Sequence, residues 1–93
     1  MVKVLLERSI KGKQVGEIVR LLRQLRVQAM RQPGYISGET LHAVDDPNYY
    51  LVISTWESLD HWQAWVNNPE RQKMSAEIDG YLDSPAKVRV FAN

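Results

Sequence analysis

From Val2 to Ile10 the chain alternates in polarity, with Val2, Val4 and Leu6 on one side and Lys3, Leu5 and Glu7 on the other. A period of two predicts a strand. Lys11-Gly12-Lys13 breaks it, and from about Gln14 to Arg31 the period becomes helical. Val15, Ile18, Leu22, Leu25 and Ala29 recur every three or four residues, while Arg20, Arg23 and Arg26 fall mostly on other faces. Pro33-Gly34 ends that helix and turns the chain. Tyr35 to Val44 then reads as a second strand, with Gly38 as the place for a bulge. Asp45-Asp46-Pro47-Asn48 is turn chemistry, and Tyr49 to Trp56 is the clearest strand of all, so the two runs form a hairpin. Ser58 is placed to cap a helix with Leu59, Trp62, Trp65 and Val66 on one face. Asn68-Pro69-Glu70 restarts a helix, with Asn as cap, Pro in the first position and an acid in the first turn. Gly80 stops it. Lys87 to Phe91 alternates again and predicts a last strand.

The order β-α-β-β-α-β, with its second helix broken in two, is the split arrangement of ferredoxin-like α+β folds. Right-handed crossovers place the helices on one face of a four-stranded antiparallel sheet. The other face then poses a problem. On the third strand Tyr49, Leu51 and Ile53 point one way and Tyr50, Val52 and Trp56 the other, so both faces are apolar. One layer of helices covers only one of them. An uncovered face of this kind exceeds what a monomer normally exposes, and pairing with a second copy buries it at roughly 25 cal/mol per Å². A two-fold homodimer, sheet against sheet, is the expected solution.

Composition narrows the function classes. With 93 residues the chain is expected to be a single domain with one core. The net charge of +1 supplies no field for nucleic acid or an anionic membrane, so neither is an expected partner. Cysteine is absent, which excludes disulfides, thiolate metal sites and a cysteine nucleophile. No targeting segment is visible, because Glu7 and Arg8 interrupt the apolar start. No run approaches the ~20 apolar residues of a membrane span. The cytoplasm is the expected compartment.

Several segments then become recognisable in order. They are Gln32-Pro33-Gly34-Tyr35-Ile36-Ser37-Gly38-Glu39-Thr40-Leu41, Asp45-Asp46-Pro47-Asn48, Leu51-Val52-Ile53-Ser54-Thr55-Trp56-Glu57-Ser58 and His61-Trp62-Gln63-Ala64-Trp65. This ordered set resembles the antibiotic biosynthesis monooxygenase family, and the likeness runs from Val2 to Phe91. The resemblance implies a dimeric α+β barrel with a small-molecule pocket between helices and sheet in each subunit. Family members oxidise aromatic polyketides with molecular oxygen and neither flavin nor metal; others degrade heme or act on quinol-like compounds. For this chain the resemblance implies a monooxygenase without a cofactor, acting with molecular oxygen on a small electron-rich aromatic. The alternative is a non-catalytic module of the same fold that binds a small ligand.

Trp65 matches the position where the family's oxygenases and heme degraders carry a pocket tryptophan. Its indole can stack on a flat substrate, and with Trp62 it also has the spacing of a buried helix face. His61 lies one turn earlier and is a candidate general base, or else a surface residue of the first turn. Arg89, on the last strand, is a candidate to hold an enolate or phenolate. Tyr81 is a candidate donor to a substrate oxygen, alongside Tyr49 and Tyr50. His42 and His61 have no acidic partners at ligand spacing, so no metal site is expected. The resemblance also speaks against heme degradation, because the axial histidine of that branch corresponds to Ser75 here.

Overall fold

The computed structural model describes residues 1–12 and 15–93, and of Val15 the backbone alone. Lys13 and Gln14, where the pattern places the helix start, lie outside the described residues. The elements follow as β1 (Val2–Ser9), α1 (Val15–Met30), β2 (Tyr35–His42), β3 (Tyr49–Trp56), α2 (Leu59–Val66), α3 (Pro69–Asp79) and β4 (Lys87–Ala92). The strands form one antiparallel sheet in the order β2-β3-β1-β4, as the ferredoxin-like reading requires. No helix among the described residues is long and apolar enough to cross a membrane.

Register divides the side chains between two faces. Val2, Val4, Leu6 and Arg8 of β1 oppose Trp56, Ser54, Val52 and Tyr50 of β3. This is the face the helices cover, and Val2, Val4, Leu6 and Trp56 are buried in it. From the helix layer come Ile18, Leu21 and Leu25 of α1, Trp62 and Trp65 of α2, and Ile78 of α3. Leu21, not Leu22, completes the buried row of α1; Leu22 is only half-buried beside it.

The expected caps are in place. Ser58 Oγ accepts the backbone N–H of His61 at 3.2 Å, and Asn68 Oδ1 accepts that of Glu70 at 2.9 Å. The first fixes the start of α2 and the second the corner between α2 and α3, each satisfying a backbone donor that a helix start leaves unpaired. Gly80 ends α3, though with a right-handed φ of −63° that uses none of glycine's extra freedom.

One expectation is corrected. The register of β2 on β3 slips between Tyr35 and Ser37, so the bulge falls at Ile36 and not at Gly38. Gly38 is there for another reason: a Cβ on it would stand 2.4 Å from the Tyr35 hydroxyl. The absence of a side chain lets Tyr35 lie across β2 and point inward.

Among the described residues no helix covers the sheet's second face. Leu5, Leu51 and Ile53 occupy its centre on β1 and β3, half-buried only by their neighbours. Leu41 on β2 and Phe91 on β4 flank them at 46% and 43% exposure.

Candidate functional site

A pocket opens between α1 and the covered face of the sheet, and α2 and α3 close its other side. Val4, Leu6, Leu22, Leu25 and Val52 give it an aliphatic floor, while Tyr35, Tyr50, Trp56, Trp62 and Trp65 wall it with rings. Trp56 sits between two of these, edge-on to Tyr35 (5.3 Å, 89°) and inclined to Trp62 (5.7 Å, 63°). Such pairs contribute about 0.5–1.5 kcal/mol each beyond burial and hold the rings at set angles. The Trp56 indole N–H is already used, donating to Ser54 Oγ at 3.0 Å. Arg26 reaches from α1 to the Gly38 carbonyl on β2 at 2.9 Å and so crosses the exposed rim. The cavity of about 80 Å³ is smaller than the ~150 Å³ void that takes a benzene ring. Room for a flat ring would require the rim to open, and the Arg26 bond there is exposed.

Sequence reasoning passes over the pocket's most unusual members. Arg8 points inward from β1, only 4% exposed, and its Nε has no hydrogen-bond partner. Arg71, in the first turn of α3, is half-buried with its guanidinium 5.3 Å from the Trp62 ring centre. Among the described residues neither has a carboxylate within ion-pair distance; Glu17 and Arg20, on the exposed side of α1, make the ion pair found there. Burial, then the charge of Arg71, lowers the Arg8 pKa to about 10, against a smaller opposing effect of Asp79. A fall of that size corresponds to about 3 kcal/mol of cost for keeping the cation in place at neutral pH. Burial lowers the Arg71 pKa as well.

Of the residues selected from sequence, the structure brings Trp62, Trp65 and Tyr50 into this pocket. His61, Arg89, Tyr81 and His42 lie elsewhere. His61 is one turn before Trp65, but its ring faces the Pro33-Gly34 turn, with Nδ1 2.7 Å from Ser58 Oγ and the ring against Gly34. Arg89 opposes Leu5 in the register, which puts it on the uncovered face of the sheet, where it lies over Phe91 at 5.1 Å. Its alternation with Val88 and Val90 aims it away from the helices. Tyr81 follows α3, packs on the core's far end and accepts the Lys11 N–H through its carbonyl at 2.9 Å. His42 ends β2 at the hairpin, beside Tyr50.

The model of the family described as antibiotic biosynthesis monooxygenase matches residues 1–77. The chain belongs to this family. Among curated proteins it is similar to Protein SchA of Streptomyces halstedii, 25% identical over 88 residues. That match takes in 95% of this chain but 23% of SchA, so the chain spans about a quarter of that relative's length. Two solved structures show the same fold. A crystal structure of an antibiotic biosynthesis monooxygenase superposes with a TM-score of 0.91 at 16% identity, covering 100% of this chain and 98% of the other. SnoaB, a cofactor-independent oxygenase from Streptomyces nogalater, gives 0.87 at 20% identity, covering 99% and 91%.

Membership of this family makes heme a fair challenge to the site. Among the described residues no histidine lines the pocket, and no group of three His, Cys, Asp or Glu is placed to hold a metal ion. Ser75, which the resemblance sets against the axial histidine of heme degraders, lies on α3 and is not among the residues lining the pocket. Hemin titrated into the protein is therefore expected to give no sharp, stoichiometric Soret band that survives desalting. Such a band would mean that His42 or His61 swings round to bind iron.

Proposed function

We propose that the protein is a monooxygenase that works without metal or flavin on a small electron-rich aromatic held in this pocket. The observation that carries the reading is an aromatic-walled slot lined by guanidinium groups that have no carboxylate within ion-pair distance among the described residues. Ground-state dioxygen is a triplet, so its reaction with a singlet organic molecule is slow unless that molecule gives up an electron readily. An ionised phenol or enol does so. In the proposed step the ring carbon gains one oxygen atom as a carbonyl, the other leaves as water, and the substrate supplies all the electrons. A CH₂ flanked by aromatic rings balances this: it loses two hydrogens to water and becomes a ketone.

The protein's part is to favour the anion and exclude water. Trp62 and Trp65 stack on the ring, and Arg8 and Arg71 make ionisation easier by facing the developing negative charge. With no histidine among the described pocket residues, the proton passes to water at the rim. His61 is then a positioning residue, holding the start of α2 through Ser58 and Gly34. We place the protein in the cytoplasm and propose that it works as a homodimer joined through the uncovered sheet face.

A second reading draws on the same lack of a base: the pocket binds an aromatic ligand without turning it over. Oxygen uptake by metal-free protein separates the two. A panel of hydroquinones and anthrone is expected to be consumed at least about tenfold faster than without protein. No uptake above background with any of them would leave the binding module as the surviving function.

A further inference from the structure

Besides Arg26 at the rim, two guanidinium groups line one mostly apolar cavity, an arrangement that packing does not account for. Arg8 occupies the fourth inward position of a strand whose other three are Val2, Val4 and Leu6. A hydrophobic residue of similar length would fill that position without charge, as buried ion pairs replaced by apolar residues often confirm. Instead the chain keeps a cation there, 4% exposed, with Nε unpartnered. Arg71 reaches the same cavity from α3, close enough for its charge to act on Arg8. Asp79, the acid that offsets part of this, stands beyond ion-pair distance.

A buried cation without a partner is what a site for an anion looks like before the anion arrives. We propose that Arg8 and Arg71 form an anion subsite that takes the carboxylate of a planar aromatic acid, with the ring of that acid lying against Trp62 and Trp65. The inference rests on the pocket reading given above and narrows its substrate class from any electron-rich aromatic to one bearing a carboxylate.

Three features favour a carboxylate over other anions. A guanidinium presents two parallel N–H groups, the spacing of a carboxylate's two oxygens. Apart from Arg26, Glu39, Thr40 and Ser54 the rest of the lining is aliphatic or aromatic, which suits a ring attached directly to the anion and leaves few donors for a fully charged phosphate. Arg71 is also held over Trp62, so an anion bound to it places its ring in line with the tryptophan wall.

Binding can be read without turnover, because all three tryptophans of the chain line the cavity and report on it by fluorescence. Under anaerobic conditions 2,5-dihydroxybenzoate, its methyl ester and phenyl phosphate are titrated into the full chain. The acid is expected to bind at least about tenfold more tightly than the ester, the difference a charge-assisted pair makes. Arg71→Gln and Arg8→Met should each remove most of that preference, so that acid and ester bind within about twofold of each other. The methionine keeps the inward volume of Arg8, so this variant is expected to fold at least as stably as the parent. Equal affinity for acid and ester, or an acid preference that survives in both variants, overturns the proposal. Phenyl phosphate binding about tenfold more tightly than the acid overturns the choice of anion. The outcome is independent of the oxygen assay: an arginine-dependent acid preference without oxygen uptake keeps the subsite and ends the monooxygenase reading. Uptake with neutral hydroquinones and no acid preference does the reverse.

Discussion

Replacing Ile53 by glutamate is expected to halve the mass of the protein in solution, from twice 10.8 kDa to 10.8 kDa. Ile53 stands at the centre of the uncovered face, opposite Leu5 on β1 and Glu39 on β2. Leu51 and Leu41 lie beside it on the same face, with Phe91 farther off on β4, and no helix among the described residues covers them. A second sheet packed there would bury these side chains at roughly 25 cal/mol per Å². Two-fold symmetry doubles the effect of one substitution, since each copy would bring its own carboxylate into the contact. An unpaired charge buried in an apolar interface costs at least about 3 kcal/mol. Two of them weaken dimerisation by roughly 10⁴-fold. Light scattering at micromolar concentration reads the result directly, with Arg23→Glu on the exposed side of α1 as a control that should stay dimeric. A wild-type chain that already runs at 10.8 kDa would end the sheet-pairing idea, and so would an Ile53→Glu dimer.

The order of elements is readable because each signal is local. A period of two in Val2 to Ile10, a period of three to four in α1, and a cap followed by Pro at Asn68-Pro69 need no knowledge of what lies opposite. Trp62 and Trp65 are readable for the same reason, since three residues apart on a short helix puts them on one face. The site's charges are harder. Arg8 does share its parity with Val2, Val4 and Leu6, and that parity is the available clue; a charged residue on a buried row invites being read as the strand's end. Arg71 carries no clue, because α3 is polar on most sides and only the tertiary fold turns that first turn toward Trp62. Placing Arg89 in the pocket goes against its own alternation, since Val88 and Val90 take the inward side of β4. His61 misleads for a subtler reason. Spacing of one turn makes it a neighbour of Trp65 on the helix, but the start of α2 abuts the turn before β2 and not the sheet.

That contact gives the other large effect, expected from Gly34→Ala. Gly34 has φ +85°, where a side chain costs about 1–2 kcal/mol by itself. A Cβ there would also stand 2.2 Å from His61 Cγ and 2.5 Å from His61 Cβ, far inside contact distance. Neither partner can simply retreat. The Gly34 carbonyl accepts the Glu57 N–H at 2.8 Å, and the next residue, Tyr35, is held edge-on against Trp56. His61 is tied through its ring and its backbone N–H to Ser58. Forced overpacking of this kind costs a further ~1–3 kcal/mol, so Gly34→Ala should lose about 2–5 kcal/mol in urea unfolding. The contact is isolated by a cycle with His61→Gly, which removes the opposing Cβ as well as the ring; His61→Ala would leave that Cβ at 2.5 Å. In the His61→Gly background Gly34→Ala should cost only the ~1–2 kcal/mol of backbone strain. An equal cost in both backgrounds would mean that His61 and Gly34 are not coupled, and that the ring does not set the start of α2. Coupling without folding loss would be visible in function too. A displaced α2 carries Trp62 and Trp65 with it, so a folded Gly34→Ala protein should bind 2,5-dihydroxybenzoate more weakly, although neither residue touches the pocket.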